Sequence, residues 1–244
     1  MKKRQQIVQL LVEKGFYPTC EQARRAIMAG KVSAEGYSSL KPGLLVHDAI
    51  EFEIREPERF VSRGGYKLEG ALEAFNLIIQ GKIALDIGAS TSGFTDCLVQ
   101  AGAQKVYAVD VGKFLLDESL RNDPRVVQID GINARYLKPP DIPETVDIIT
   151  MDVSFISIKK IIPALIPLLK KEGIMLVLVK PQFEAKKTQV GKKGVVHDQK
   201  LISLILDDMI KFLKVLCLDV CGQVKSPITG PAGNQEYILW AVKV

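Results

Sequence analysis

Four apolar runs between residues 82 and 179 each end on a residue that can do chemistry. Residues 82–85 lead into Asp86, 105–109 into Asp110, 146–151 into Asp152 and 174–179 into Lys180. Short apolar runs of this kind read as strands buried on both faces, and ligands of open α/β sheets bind beyond the carboxyl ends of such strands. Three carboxylates and one amine along one sheet edge can hold a cation or move a proton. A lysine directly after an apolar run is expected to be partly desolvated, which weakens its hold on a proton, and a neutral lysine is a competent general base. By position alone Lys180 reads equally well as a base and as a strand-end lysine reaching back to solvent.

The segment after the first run, Asp86-Ile-Gly88-Ala-Ser90-Thr-Ser-Gly93, is a glycine turn between a strand and a helix. Glycines there let the backbone approach a ligand closely. Asp110, 24 residues after Asp86, falls at the end of the next strand, where a carboxylate accepts hydrogen bonds from ribose hydroxyls. A carboxylate just ahead of the turn repels a pyrophosphate. It tolerates S-adenosylmethionine, whose sulfonium and ammonium are both positive, so Asp86 argues against a nicotinamide dehydrogenase on the same fold. The alternative, a glycine turn that binds nothing, weakens because Asp86, Gly88, Gly93 and Asp110 all stand in register.

These residues require a scaffold of alternating strands and helices. Helices are expected over 66–75, 95–100 and 201–216, and over 156–169 with a kink or split at Pro163 and Pro167. A third strand is expected at 126–129, and two closing strands at 218–225 and 236–242 suggest an antiparallel edge hairpin. The fold class is therefore α/β: a Rossmann-like, mostly parallel sheet with an antiparallel C-terminal edge. The first part of the chain differs. A helix is expected over 4–15, stopped by Gly15, and a second from Thr19, which with Gln22 has capping-box spacing, to Gly30. Short strands follow near Val32, 44–46 and 50–54. Three segments result: a small α+β domain over 1–57, a linker over 58–63 and the sheet domain over 64–244.

Composition sets outer bounds. Of 244 residues 47% are hydrophobic and 25% charged, which excludes wholesale disorder. Lys plus Arg number 33 against 28 Asp plus Glu, a net charge of +5 that permits nucleic acid as a partner. Four scattered cysteines predict no disulfide framework. Cys217 and Cys221 have no second Cys or His pair beside them, since His47 and His197 are isolated, so no metal site is expected. No apolar stretch reaches membrane-spanning length, and the apolar run after the basic N-terminus is too short for a signal peptide, which makes the cytoplasm the expected location.

Several longer motifs carry a family resemblance. They include Ser62-Arg-Gly-Gly-Tyr-Lys67, Asp86 to Asp96, Asn133-Ala-Arg-Tyr-Leu137, Asp152-Val-Ser-Phe-Ile-Ser157, Lys180-Pro-Gln-Phe-Glu184, Gly194-Val-Val-His-Asp198 and Ser226-Pro-Ile-Thr-Gly230. Together, in this order and along essentially the whole chain, they resemble the TlyA family. Its members, also named hemolysin A, are ribosomal RNA 2′-O-methyltransferases related to the FtsJ type. The resemblance implies an N-terminal alpha-L RNA-binding domain, a methyltransferase domain using S-adenosylmethionine, and ribosomal RNA or ribosomal subunits as partner. It implies a Lys-Asp-Lys-Glu catalytic set at Lys67, Asp152, Lys180 and Glu236. It extends the cofactor-binding set of Asp86, Gly88, Gly93 and Asp110 to Ala89, Ser90, Phe94, Thr95, Asp130 and Asn133, and adds Arg63 to the RNA contacts. The chain departs from the family pattern in four places: Ser92 replaces a glycine, Arg4-Gln-Gln replaces Arg-Leu-Asp, Ala34-Glu-Gly replaces Val-Asn-Gly, and Gly131 stands where an arginine is usual.

Charge distribution suggests two RNA-facing clusters. Residues 1–60 hold ten Lys/Arg and eight Asp/Glu, but Arg4, Arg24, Arg25 and Lys31 precede most of the acids and are expected on one face. Lys186, Lys187, Lys192 and Lys193 flank Gly191 after the Lys180 strand, a basic loop placed to overhang the site and contact phosphate without reading sequence. Two other functions are weighed: an RNA- or ribosome-binding protein whose cofactor site has degenerated, which Ser92 motivates, and a membrane-lytic hemolysin, which the lack of a spanning segment opposes.

Overall fold

The computed structural model describes residues 4–28, 30–54, 58–191 and 193–244. Lys192 therefore lies outside the described residues. The chain forms two compact units, Met1–Arg59 and Phe60–Val244, and the division falls inside the predicted linker. Phe60 is buried in the core of the second unit, and the backbone N–H of Val61 donates to Asp96 Oδ2 at 2.8 Å.

The first unit consists of β1 (Arg4–Gln6), α1 (Ile7–Glu13), α2 (Cys20–Met28), β2 (Val32–Ala34), β3 (Leu45–His47) and β4 (Phe52–Ile54). The expected first helix begins three residues late. Residues 4–6 instead pair antiparallel with β3, because an apolar face begins only at Ile7. Thr19 caps α2, its hydroxyl accepting from the Gln22 N–H at 3.3 Å. Ile7, Leu10, Leu11, Ala23, Ile27, Val32 and Val46 form the core of this unit.

The second unit contains α3 (Gly64–Ala74), β5 (Ile83–Ile87), α4 (Gly93–Gln100), β6 (Lys105–Asp110), α5 (Glu118–Arg121), β7 (Val126–Asp130), β8 (Val146–Met151), α6 (Ile162–Leu165), β9 (Leu169–Val179), α7 (Pro181–Glu184), α8 (Gln199–Val215), β10 (Leu218–Lys225) and β11 (Tyr237–Lys243). The expected helix over 156–169 is split by its prolines into α6 flanked by two 3₁₀ turns. The sheet order is β10-β11-β9-β8-β5-β6-β7, with β5 to β9 parallel and β10 and β11 antiparallel. The closing hairpin is not wholly at the edge: β11 is inserted between β9 and β10.

Both faces of the sheet are buried, which explains the apolar runs without alternation. Even-numbered side chains such as Ala84, Ala108, Ile148, Leu178 and Ile238 pack toward α3 and α4. Odd-numbered ones such as Leu85, Val109, Ile149, Val179 and Leu239 pack toward α6 and α8.

Candidate active site

That strand parity assembles the site. Asp152 and Lys180 are the next even positions beyond β8 and β9, and Glu236 is the even position just before β11. All three project to the α3 face. Tyr237 is opposite Val179 in the antiparallel pairing of β11 with β9, so Glu236 comes in beside Lys180. Lys67 completes the group from the buried face of α3, beside Leu68 and Ala71. Lys67 Nζ lies 2.6 Å from Glu236 Oε2 and 3.9 Å from Asp152 Oδ2. Lys180 Nζ lies 2.5 Å from Asp152 Oδ1 and donates to Ser154 Oγ at 2.9 Å. Lys67 is 7%, Lys180 8% and Glu236 1% exposed. Two ammonium groups and two carboxylates balance, as burial at this depth demands. Lys67, Asp152 and Lys180 line a cavity of about 250 Å³ together with Ser62, Arg63, Phe94 and Thr229, and Glu236 stands behind Lys67.

A second cavity, of about 450 Å³, opens over the ends of β5, β6 and β8. Gly88, Asp110 and Asn133 give it polar groups, and Val111, Leu115, Ile132 and Ile156 give it apolar walls. It lies at the switch point, where the chain leaves β5 for β6 on one side and later returns to β8 on the other. Gly88 lets the ends of β5 and β8 converge at the floor of this cavity. Its φ is +81°, and a Cβ there would sit 2.4 Å from the Asp152 carbonyl oxygen. The loop is tied down by Asp110, whose two oxygens accept from the Ser90 N–H (2.9 Å) and the Gly112 N–H (2.7 Å). Gly88, Ser90, Asp152 and Ser154 line both cavities.

Other predicted cofactor residues are distributed unevenly. Ala89, Gly93 and Phe94 line the smaller cavity. Asp86 and Thr95 stand behind the walls of both. Asp86 is fully buried, its oxygens accepting from the hydroxyls of Thr95 (2.7 Å) and Thr150 (2.8 Å). Burial pushes its carboxyl up to about 6, the two threonine hydroxyls pull it down, and the negative Asp152 raises it further. Asp86 lines neither cavity. Asp130 accepts from the Phe114 N–H (2.8 Å) and Gln128 (2.7 Å), which fixes the loop after β6. Ser92 adopts φ +78°, the left-handed conformation a glycine takes freely, but it is buried and lines neither cavity.

Arg63 donates to the Thr229 carbonyl at 3.3 Å on the rim of the smaller cavity. Lys186, Lys187 and Lys193 are exposed. In the first unit Arg4 reaches His47 at 3.3 Å, and Lys31 is half-buried. Arg24 and Arg25 both turn to Glu21, at 3.9 and 3.3 Å. Residues three and four positions after Glu21 flank the same stripe of α2, so both arginines border one acidic side chain.

Sequence reasoning gave no role to Ser154, the hydroxyl partner of Lys180, or to Thr150 beneath Asp86. It also passed over Phe155, which is 91% exposed at the mouth of the larger cavity. Ser154 and Phe155 directly follow the Asp152 strand end, and that position was their available signal.

A mostly parallel sheet with a glycine loop at its switch point defines a Rossmann-like methyltransferase, and the larger cavity suits S-adenosylmethionine. Its Asp110 matches ribose hydroxyls, its apolar walls match a base, and the buried charge of Asp86 matches a cationic ligand. The chain belongs to the FtsJ-like methyltransferase family, matched over residues 60–243, and within it to the TlyA group. It is 43% identical over 242 residues to the 16S/23S rRNA (cytidine-2′-O)-methyltransferase TlyA of Mycobacterium tuberculosis, covering 98% of this chain and 90% of that protein. It is 39% identical to Hemolysin A of Brachyspira hyodysenteriae, covering 92% of this chain and 94% of that protein. A solved structure of a hemolysin-named protein from Streptococcus thermophilus superposes with a TM-score of 0.76 at 40% identity, covering 100% of this chain and 90% of the other.

Proposed function

We propose that this protein transfers a methyl group from S-adenosylmethionine to the 2′-hydroxyl of a cytidine ribose in ribosomal RNA. The observation that carries the reading is the buried Lys67–Glu236 and Lys180–Asp152 pairing in a cavity joined to the cofactor cleft. The cofactor supplies a methyl group activated by its sulfonium. The residues of the chain supply the rest. Turning a hydroxyl into an ether requires the loss of one proton, and Lys180 is the group that meets the 2′-oxygen. As a neutral amine it takes that proton, and Asp152 and Ser154 are already in place to hold the ammonium that forms. As an ammonium it would instead donate a hydrogen bond to the developing alkoxide, and the proton would leave to solvent. Lys67, held by Glu236, adds positive potential without net charge. The N-terminal unit is read as an alpha-L RNA-binding domain. Arg63 and the exposed loop lysines are read as holding the RNA backbone, which positions substrate without reading sequence.

Degeneration of the cofactor site finds little support, since Ser92 leaves both cavities open. Among the described residues no helix is long and apolar enough to cross a membrane. The test is transfer of tritiated methyl to ribosomal subunits lacking 2′-O-methylation, with Lys180→Ala alongside. Loss of one such electrostatic donor is expected to lower the single-turnover rate by about 10²–10³. Full activity in Lys180→Ala would refute the role of Lys180. Absence of transfer by the unaltered protein, with RNA still bound, would favour an RNA-binding function.

A further inference from the structure

The basic loop from Lys186 to Val196 is fastened at its far end. The Gly194 N–H donates to the Gly191 carbonyl (2.8 Å) and the Gly191 N–H to the Val195 carbonyl (3.1 Å), closing a tight turn. Lys186, Lys187 and Lys193 face solvent, whereas Val195 and Val196 are buried. The fastener is Asn234. Its Oδ1 accepts from the Val196 N–H at 3.0 Å, and its Nδ2 donates to the Gly194 carbonyl at 2.9 Å. The residue is 2% exposed. An amide with one acceptor and one donor matches these two backbone groups, and a buried amide left half-satisfied is costly.

The main chain of Asn234 does a second job. Its carbonyl accepts from the Gly230 N–H at 2.9 Å, which folds the 230–234 turn against Glu236. The approach is so close that a Cβ on Gly230 would sit 2.6 Å from Glu236 Oε1. The Ser226 N–H donates to the Glu236 carbonyl at 2.9 Å and closes the base of the same segment. That segment also supplies Ile228, Thr229 and Pro231 to the wall of the smaller cavity. One buried residue thus ties together the loop that carries the lysines and the turn that sets the partner of Lys67.

We infer that Asn234 is a positioning residue that holds the basic loop and the Gly230–Glu236 turn as one unit. Engagement of RNA phosphates by the loop and placement of Glu236 against Lys67 are then set together. A fastened loop loses less freedom when it meets RNA than a free one, and a shift of its anchor reaches the Glu236 turn directly. The inference rests on the RNA methyltransferase reading.

The test uses the full chain with Asn234→Ala and Asn234→Asp. The aspartate keeps the acceptor for Val196 but sets a carboxylate oxygen against the Gly194 carbonyl. Three quantities are measured: kcat and KM for methyl transfer to unmethylated ribosomal subunits, and the slope of RNA affinity against salt. Asn234→Ala is expected to lower kcat by about tenfold, beyond any change in KM, because the cluster itself is displaced. It is also expected to flatten the salt slope by about 1–2, the share of one or two phosphate contacts. Adding Lys187→Ala should flatten the slope in the unaltered protein and change it little in Asn234→Ala. A lowered melting temperature with unchanged kcat and slope would overturn the inference and leave Asn234 as a fastener of a surface loop. If Asn234→Ala does not fold, Asn234→Asp gives the same readouts. If the unaltered protein transfers no methyl to RNA, the proposed function fails. The salt slope needs no transfer and then decides for the fastened loop: an unchanged slope overturns it.

Discussion

Asp86 ties the chemistry of the site to the pH dependence of the fold. Its carboxyl titrates at about 6 in the folded chain against 3.8 when exposed, because burial outweighs the two threonine hydroxyls. The difference of roughly 2 pH units corresponds to about 3 kcal/mol, at about 1.36 kcal/mol per unit. Below the exposed value Asp86 is protonated both folded and unfolded, and the fold bears no penalty. As pH rises through 4 to 6 the unfolded chain releases the proton while the fold keeps it, so stability falls. Above 6 the full penalty is present. Asp86→Asn is neutral throughout and nearly isosteric. Its stability relative to the unaltered protein should therefore rise by about 2–3 kcal/mol between pH 4 and pH 8. Any cost of re-pairing Thr95 and Thr150, about 1 kcal/mol, is the same at every pH. Urea denaturation of both proteins across this range measures the difference directly. A difference independent of pH would refute the account of Asp86 as a buried, reluctantly ionised carboxylate. The same charge should serve the cofactor. Calorimetric affinity for S-adenosylmethionine should strengthen in the unaltered protein as pH rises past 6, and Asp86→Asn should lack that gain.

Two further substitutions probe the loop and the cavity mouth. Ser92→Gly relieves a left-handed serine, so stability should rise by up to about 1 kcal/mol after the entropy of the added glycine is counted. A fall in denaturation midpoint would show that the Ser92 hydroxyl, 3.3 Å from the Ser90 carbonyl, matters more than the backbone. Phe155 presents its ring to solvent at φ +65°, 5.3 Å from the ring of Phe183, which lies beneath Lys180. If it stacks on a base of the substrate, Phe155→Ala should lower kcat/KM for ribosomal RNA about 10- to 100-fold, the equivalent of 1–3 kcal/mol. Melting temperature should hold, since the ring is 91% exposed. A kcat/KM equal to that of the unaltered protein would remove Phe155 from the substrate path.

The strand-end residues were legible because a doubly covered sheet leaves little choice: an apolar run buries both faces, and chemistry can begin only where the run stops. Lys67 was less so. On composition it is one more helix lysine, yet it shares a face with Leu68, Ala71 and Leu72, and a lysine in an apolar stripe needs a buried partner. Asp86 was placed at the right strand end, but its depth behind the cavity walls was not legible. Parity with Ala84 turns its side chain to the α4 face, where Thr95 of α4 and Thr150 of the neighbouring β8 hold it. Residues 4–6 and β11 show a different limit. Arg4-Gln-Gln carries no strand pattern, and pairing with β3 decides its conformation. The insertion of β11 between β9 and β10 depends on which edge is free when the chain returns, and no local signal encodes that.

The two cavities meet at Asp152. Its backbone carbonyl meets Gly88 at the floor of the cofactor cleft, where only the absence of a Cβ lets the two strands' ends converge. Its carboxylate, on the far side of the same residue, lies 2.5 Å from Lys180 and 3.9 Å from Lys67. Asp152 thus borders both cavities, together with Gly88, Ser90 and Ser154. On the proposed function, a displacement of the glycine turn would move the Asp152 carboxylate beside Lys180 as well. The sheet achieves this with neighbouring strands alone, since β5 and β8 are hydrogen-bonded in register from Ala84 and Ile148 to Ile87 and Met151. The Asp152 N–H extends that ladder by one more bond, to the Ile87 carbonyl at 3.0 Å, and so carries the rigidity of the core to the carboxylate beside Lys180.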